Sequence, residues 1–130
     1  MMNAVIHFEM PYQEAQRAAS FYTAAFGWKT QMLGPEMGDY LLVTTAEKDA
    51  RPGAPAGAIN GGLYPFKADW PAQYPSVVMG VDDIAAAMQR VETAGGQVLG
   101  EPMEIPGIGA YVSFLDTEGN RNSMWQPRMG

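Results

Sequence analysis

The chain has 130 residues, enough for one compact domain with a modest core. Apolar residues make up 47% and charged residues 17%, a globular balance that excludes a disordered tail or a coiled coil. There is no Cys and one His, His7, so disulfides, thiolate zinc sites and cysteine nucleophiles are excluded. Any His-dependent site must use His7 or a His from a second chain. The 14 acids against 8 bases give a net charge of −6, which argues against nucleic-acid partners and an anionic membrane surface. Met1 to Ile6 has no basic flank, and no run approaches the ~18 apolar residues of a membrane span. The expectation is a cytoplasmic protein.

In chain order, Ala4 to Met10 alternates and is rich in strand formers, and Pro11 ends it. Ala15, Ala18, Ala19, Tyr22, Ala25 and Phe26 recur at helical spacing, which predicts a helix from Gln13 to Phe26 closed by Gly27. Trp28 to Met32 and Tyr40 to Thr45 read as strands, Ala46 to Pro55 as a surface loop, and Ala56 to Tyr64 as a fourth strand. Within that strand Gly61-Gly62 marks a weak point or a close approach. Pro65 to Pro75 is a connector. Ser76 to Val81 is a strand. Asp82 or Asp83 then caps a helix with Ile84, Ala87, Met88, Val91 and Ala94 on its buried stripe, and Gly95-Gly96 ends it. Gln97 to Leu99 starts a strand. Glu101 to Gly109 is a Pro/Gly-rich stretch, read either as a mobile flap or as a rigid β-connection. Tyr111 to Leu115 and Arg121 to Gln126 are strands joined by an Asp116 to Asn120 turn.

The two passes share the order strand, helix, strand, strand, strand. An offset of 69 residues sets His7 on Ser76, Glu14 on Asp83, Ala18 on Ala87 and Gly27 on Gly96. The chain is therefore expected to be a single α+β domain made of two tandem βαβββ modules, 1–64 and 75–130.

These residues resemble a known family. His7-Phe8-Glu9, Ala18 to Tyr22, Phe26-Gly27-Trp28, Ile59 to Leu63, Gly80 to Ile84, and Asp116 to Asn120 leading into Met124 to Pro127 are similar to the vicinal oxygen chelate superfamily. That superfamily holds glyoxalases, bleomycin-resistance proteins and extradiol dioxygenases, and the nearest likeness is to small glyoxalase-like bacterial proteins. The resemblance implies curved mixed sheets around a cavity with helices outside. It also implies a homodimer and, in the enzymes, a divalent metal held from the first and last strand of each module. The corresponding positions here are His7, Asn60, Ser76 and Ser123. His7 is a ligand type, Asn60 a poor substitute, and Ser76 and Ser123 are not expected ligands for a catalytic transition metal.

Strand parity gives an independent reading. Ile6, Phe8 and Met10 share the apolar face of the first strand, which leaves His7 and Glu9 on the inner face, ~6.6 Å apart along the backbone. Their tips could touch or bridge a shared ligand, with either Glu9 or His7 as the general base. Asn60, Gly62 and Tyr64 would face inward on the fourth strand. On the last strand parity does not choose between Arg121, Ser123, Trp125 and the alternate set; the resemblance selects the first. Tyr64 and Trp125 are the aromatic candidates for stacking a flat ligand, against a plain core role, and Arg121 suits an acidic ligand or Glu9.

The expected function is a metal-independent small-molecule-binding protein of the glyoxalase/bleomycin-resistance type, with no cofactor. His7 and Glu9 are its candidate reactive groups, and Asn60, Tyr64, Arg121, Ser123 and Trp125 line its ligand site. The alternative is a glyoxalase-like metal-dependent lyase or isomerase, or a dioxygenase, with His7 as metal ligand.

Overall fold

The computed structural model describes residues 2–46 and 59–127. Its elements are β1 (Val5–Tyr12), α1 (Ala15–Phe26), β2 (Lys29–Met32), β3 (Leu41–Thr44), β4 (Gly61–Pro65), β5 (Ser76–Gly80), α2 (Ile84–Thr93), β6 (Gln97–Ile105), β7 (Gly109–Leu115) and β8 (Arg121–Pro127). A 3-10 turn, Pro35–Met37, precedes β3 and has no counterpart in the sequence reading. The fold is mixed α+β, as expected. The Ala46 to Pro55 loop, after its first residue, and the start of the strand expected from Ala56 lie outside the described residues.

The chain divides into two compact units. One is His7–Asp69; the other joins Met1–Ile6 to Trp70–Gly130. In the second, the Ala4 carbonyl accepts a hydrogen bond from the Gly80 amide, so the first residues of the chain pack with the C-terminal half.

Within His7–Asp69 the strands run β2-β3-β4-β1. The β2/β3 and β3/β4 pairs are antiparallel and the β1/β4 pair is parallel. Leu41, Val43 and Leu63 form the buried centre, and Phe8, Met10, Tyr12, Ala18, Ala19, Tyr22 and Trp28 pack against it. The apolar face of β1 therefore meets α1, as its alternation predicts. Gly27, at φ 70, ends α1, and its amide donates to the Thr23 carbonyl.

Within the C-terminal unit the order β5-β8-β7-β6 repeats the scheme, with β5/β8 parallel and β7/β8 and β6/β7 antiparallel. Its core is Val81, Ile84, Ala87, Ala110, Val112, Phe114 and Met124. Asp83 caps α2 by accepting from the Ala86 amide at 3.1 Å. A second cap comes from a distance: Gln126 Oε1 accepts from the Ile84 amide at 2.8 Å.

Of the two readings of the Pro/Gly-rich stretch, the structure shows the β-connection rather than the flap. Glu101 to Ile105 belongs to β6, with a register irregularity between Leu99 and Met103. Proline has no amide hydrogen for a ladder, but Pro102 sits at that irregularity on an edge strand, where the loss is tolerated. The Asp116 to Asn120 turn is as expected. Hydrogen bonds from the Asn120 backbone and side chain hold the Asp116 carboxyl below its ordinary range.

Candidate functional site

The face of β1 away from α1 carries His7 and Glu9, and β4 and β3 supply its neighbours. Glu9 stands opposite Gly62, and Gly62 opposite Leu42. By alternation Tyr40, just before β3, falls on the same side. Glu9 is 6% exposed. The Tyr40 hydroxyl lies between the two candidates: it donates to Glu9 Oε2 at 2.8 Å and stands 3.0 Å from His7 Nε2. His7 and Glu9 are thus joined through Tyr40, which the sequence places at the start of a strand. Burial lowers the His7 pKa below its ordinary 6.5, which favours the neutral imidazole.

Two glycines make room for this arrangement. A Cβ on Gly61 would come 2.7 Å from the Phe8 ring, on the α1 side. A Cβ on Gly62 would collide with the Tyr40 Cε2, Cζ and hydroxyl, on the other side. The Gly61-Gly62 pair, read from sequence as a possible close approach, is one on both faces. The chain before Tyr40 is also held: the Tyr12 hydroxyl donates to the Asp39 carbonyl at 2.7 Å, and Asp39 has φ 55.

Asn60 does different work from a ligand-facing group. Its Oδ1 accepts from the Thr45 amide at 2.7 Å and the Ala46 amide at 2.9 Å, so it clasps the end of β3. Tyr64 follows Gly62 by two residues on β4 and is half-buried.

In the C-terminal unit, Met124 lies in the core against α2, which puts Arg121, Ser123 and Trp125 on the opposite face. Ser123 is 2% exposed and belongs to a hydroxyl cluster, 2.8 Å from Tyr111 Oη and 2.9 Å from Ser113 Oγ. Sequence reasoning missed Ser113; its place opposite Ser123 in the β7/β8 ladder is the signal that would have found it. Trp125 stands opposite Tyr111 and closes over Gly109. The Arg121 guanidinium lies 4.9 Å from the centre of the Trp70 ring and donates to the Pro71 carbonyl at 3.1 Å, so it fastens the connector to β8.

The four positions that the resemblance assigns to a metal do not fit a catalytic transition metal. The Asn60 oxygen is taken by two amides, the Ser123 oxygen is a neutral alcohol in a hydroxyl cluster, and Ser76 is another neutral alcohol. Among the described residues no three His, Cys, Asp or Glu side chains come together as a metal-binding group. His7 is the one imidazole, and its Nε2 is engaged by Tyr40.

Comparison with known proteins agrees with this architecture. The chain is 29% identical to the anthracycline biosynthesis protein DnrV of Streptomyces peucetius over 134 residues, covering 92% of this chain and 45% of that protein. It thus spans about half the length of that relative. It is also 29% identical to a glyoxylase-like domain-containing protein of Didymella fabae, covering 89% of this chain and 88% of that one. Among solved structures, a hypothetical protein of Bacillus halodurans superposes with a TM-score of 0.70 at 14% identity, covering 100% of this chain and 98% of that one. A methylmalonyl-CoA epimerase of Mycobacterium tuberculosis superposes with a TM-score of 0.66 at 15% identity, covering 96% of this chain and 88% of the other. The sequence model of the Glyoxalase/Bleomycin resistance protein/Dioxygenase superfamily matches residues 4–124, and the chain belongs to that superfamily.

Proposed function

We propose that this protein is a metal-independent small-molecule-binding member of its superfamily, which holds a flat organic ligand against the face bearing His7, Glu9 and Tyr40. The observation that carries this reading is the His7–Tyr40–Glu9 hydrogen-bond chain. It occupies the first-strand position of the family's metal site with an internal contact, while Asn60 and Ser123 are committed to protein partners. Tyr64 belongs to the same ligand face, and Arg121 and Trp125 are the corresponding candidates in the C-terminal unit. The relative in anthracycline biosynthesis supports a polycyclic aromatic ligand class. The competing reading, a metal-dependent lyase, isomerase or dioxygenase, draws on the same His7, which burial keeps in the neutral form that a metal requires.

The test is thermal unfolding of chelator-treated protein with an anthracycline as the probe. At a probe concentration about 100-fold above Kd, binding to the native state raises Tm by roughly 10 °C. No shift with chelated protein, together with a shift that appears on adding a divalent metal, contradicts the reading. The resemblance also implies a homodimer. Phe21 and Phe26, 57% and 64% exposed on α1, are consistent with a second chain covering them, and sedimentation of the intact protein tests the dimer.

A further inference from the structure

The direction of the hydrogen bonds around Tyr40 decides what His7 offers to a ligand. With Glu9 as a carboxylate, which is the polarity the inference takes, the single Tyr40 proton goes to Glu9 Oε2. The lone pairs of Tyr40 Oη then face His7, and Nε2 must carry hydrogen to make the 3.0 Å contact. His7 Nδ1 is left as a lone-pair acceptor. Nδ1 has no hydrogen-bond partner among the described residues, and no side-chain N or O among them is both buried and unpaired, so Nδ1 opens onto accessible space.

The geometry points to Tyr40 as the residue that fixes His7 in the Nε2–H tautomer, seated there by the bare backbone of Gly62, so that Nδ1 receives a hydrogen bond from a ligand O–H or N–H. This rests on the proposed small-molecule site and deepens it by naming the ligand chemistry: a flat molecule with a hydrogen-bond donor, such as a phenol. The reverse polarity, Glu9 protonated and Tyr40 donating to Nε2, would put the hydrogen on Nδ1 and select a ligand acceptor instead. Tyr40 and Gly62 are positioning residues. Neither donates to the ligand in this scheme, and both act through the imidazole. The Tyr40 ring reaches its place only because residue 62 has no side chain. The planes of the His7 and Tyr40 rings are 18° apart with centroids 6.4 Å apart, too far for face-to-face contact. The rings are near-parallel and offset, an arrangement compatible with the 3.0 Å contact between Oη and Nε2.

The single histidine makes the test direct, because a long-range proton–nitrogen spectrum of the full chain contains one imidazole. At a pH above 7.5 the expected pattern is Nε2–H with Nδ1 unprotonated, and a visible Hε2 signal protected by Tyr40. In Tyr40→Phe that protection is lost; in Gly62→Ala, if it folds, the same loss follows. The ligand class is tested with 2-naphthol and 2-methoxynaphthalene, which differ in the donor proton. The naphthol is expected to bind about tenfold more tightly and to perturb Nδ1, and the advantage should fall below about twofold in His7→Phe. An Nδ1–H pattern, an Hε2 signal unchanged in Tyr40→Phe, equal affinity for the two probes, or binding of neither overturns the inference. Each of these outcomes leaves the broader binding reading to the anthracycline shift, which does not depend on the tautomer.

Discussion

At the scale of single residues, the site depends on what is missing as much as on what is present. Gly62 has no side chain, and the Tyr40 ring takes the space. Gly62→Ala is expected to destabilise the protein by about 1–3 kcal/mol through overpacking, read as a lower denaturant midpoint with an unchanged m-value. Asn60 is expected to show a structural effect: Asn60→Ala leaves the Thr45 and Ala46 amides without their acceptor and costs about 1–3 kcal/mol. His7 gives the pH dependence its sign. Its folded-state pKa is depressed below 6.5 by burial, so the unfolded chain takes up a proton first as the pH falls. Its contribution to stability is complete above pH 6.5 and is lost as the pH drops through the lower, folded-state value. Urea unfolding of the native protein and His7→Gln across pH 5 to 8 should show this slope in the former and its reduction in the latter. Parity alone was enough to place His7, Glu9 and Gly62 on one face. Tyr40 was not legible as their partner, because it requires the pairing of β3 with β4, and the intervening sequence carries no register signal.

At the scale of elements, alternation and capping made most of the structure legible. The alternation in β1 put Phe8 and Met10 against α1, and Ile84, Ala87, Met88 and Val91 of the α2 stripe reached its core, while Ala94 is the exposed C-cap. Asp83 was readable as a cap because its side chain reaches an amide in the next turn. Gln126 was not, because its target, Ile84, is remote in sequence. Both should contribute to α2: Asp83→Ala is expected to cost about 0.5–2 kcal/mol. Gln126→Ala should cost about 1 kcal/mol, and thermal unfolding of the two variants and the double variant measures whether the caps act independently. The Glu101 to Ile105 stretch shows where composition leaves two readings open and strand pairing decides for the β-connection. Proline and glycine argue for a loop, but an edge strand has one neighbour and tolerates an irregular amide pattern. A mobile flap there would exchange its amides freely; the ladder predicts protection for those amides of β6 that point at β7, alternating with exposed ones along the edge.

At the scale of the whole molecule, the chain keeps the superfamily's fold, and the proposal is that it works without the superfamily's metal. Order and spacing of motifs made the fold readable over nearly the full length, and residues 4–124 match the family. The scarcity of histidine, with no cysteine, limits the donors at the four positions that the resemblance assigns to a metal. What sequence could not supply was the present use of those positions: Asn60 holds two backbone amides, and Ser123 joins Tyr111 and Ser113. The central claim is that this site works without a metal, and elemental analysis of untagged protein purified without chelator tests it most directly. The expected result is far less than one equivalent of any divalent transition metal per chain, with the same Tm before and after chelation. One tightly bound equivalent, lost in His7→Ala, would contradict it.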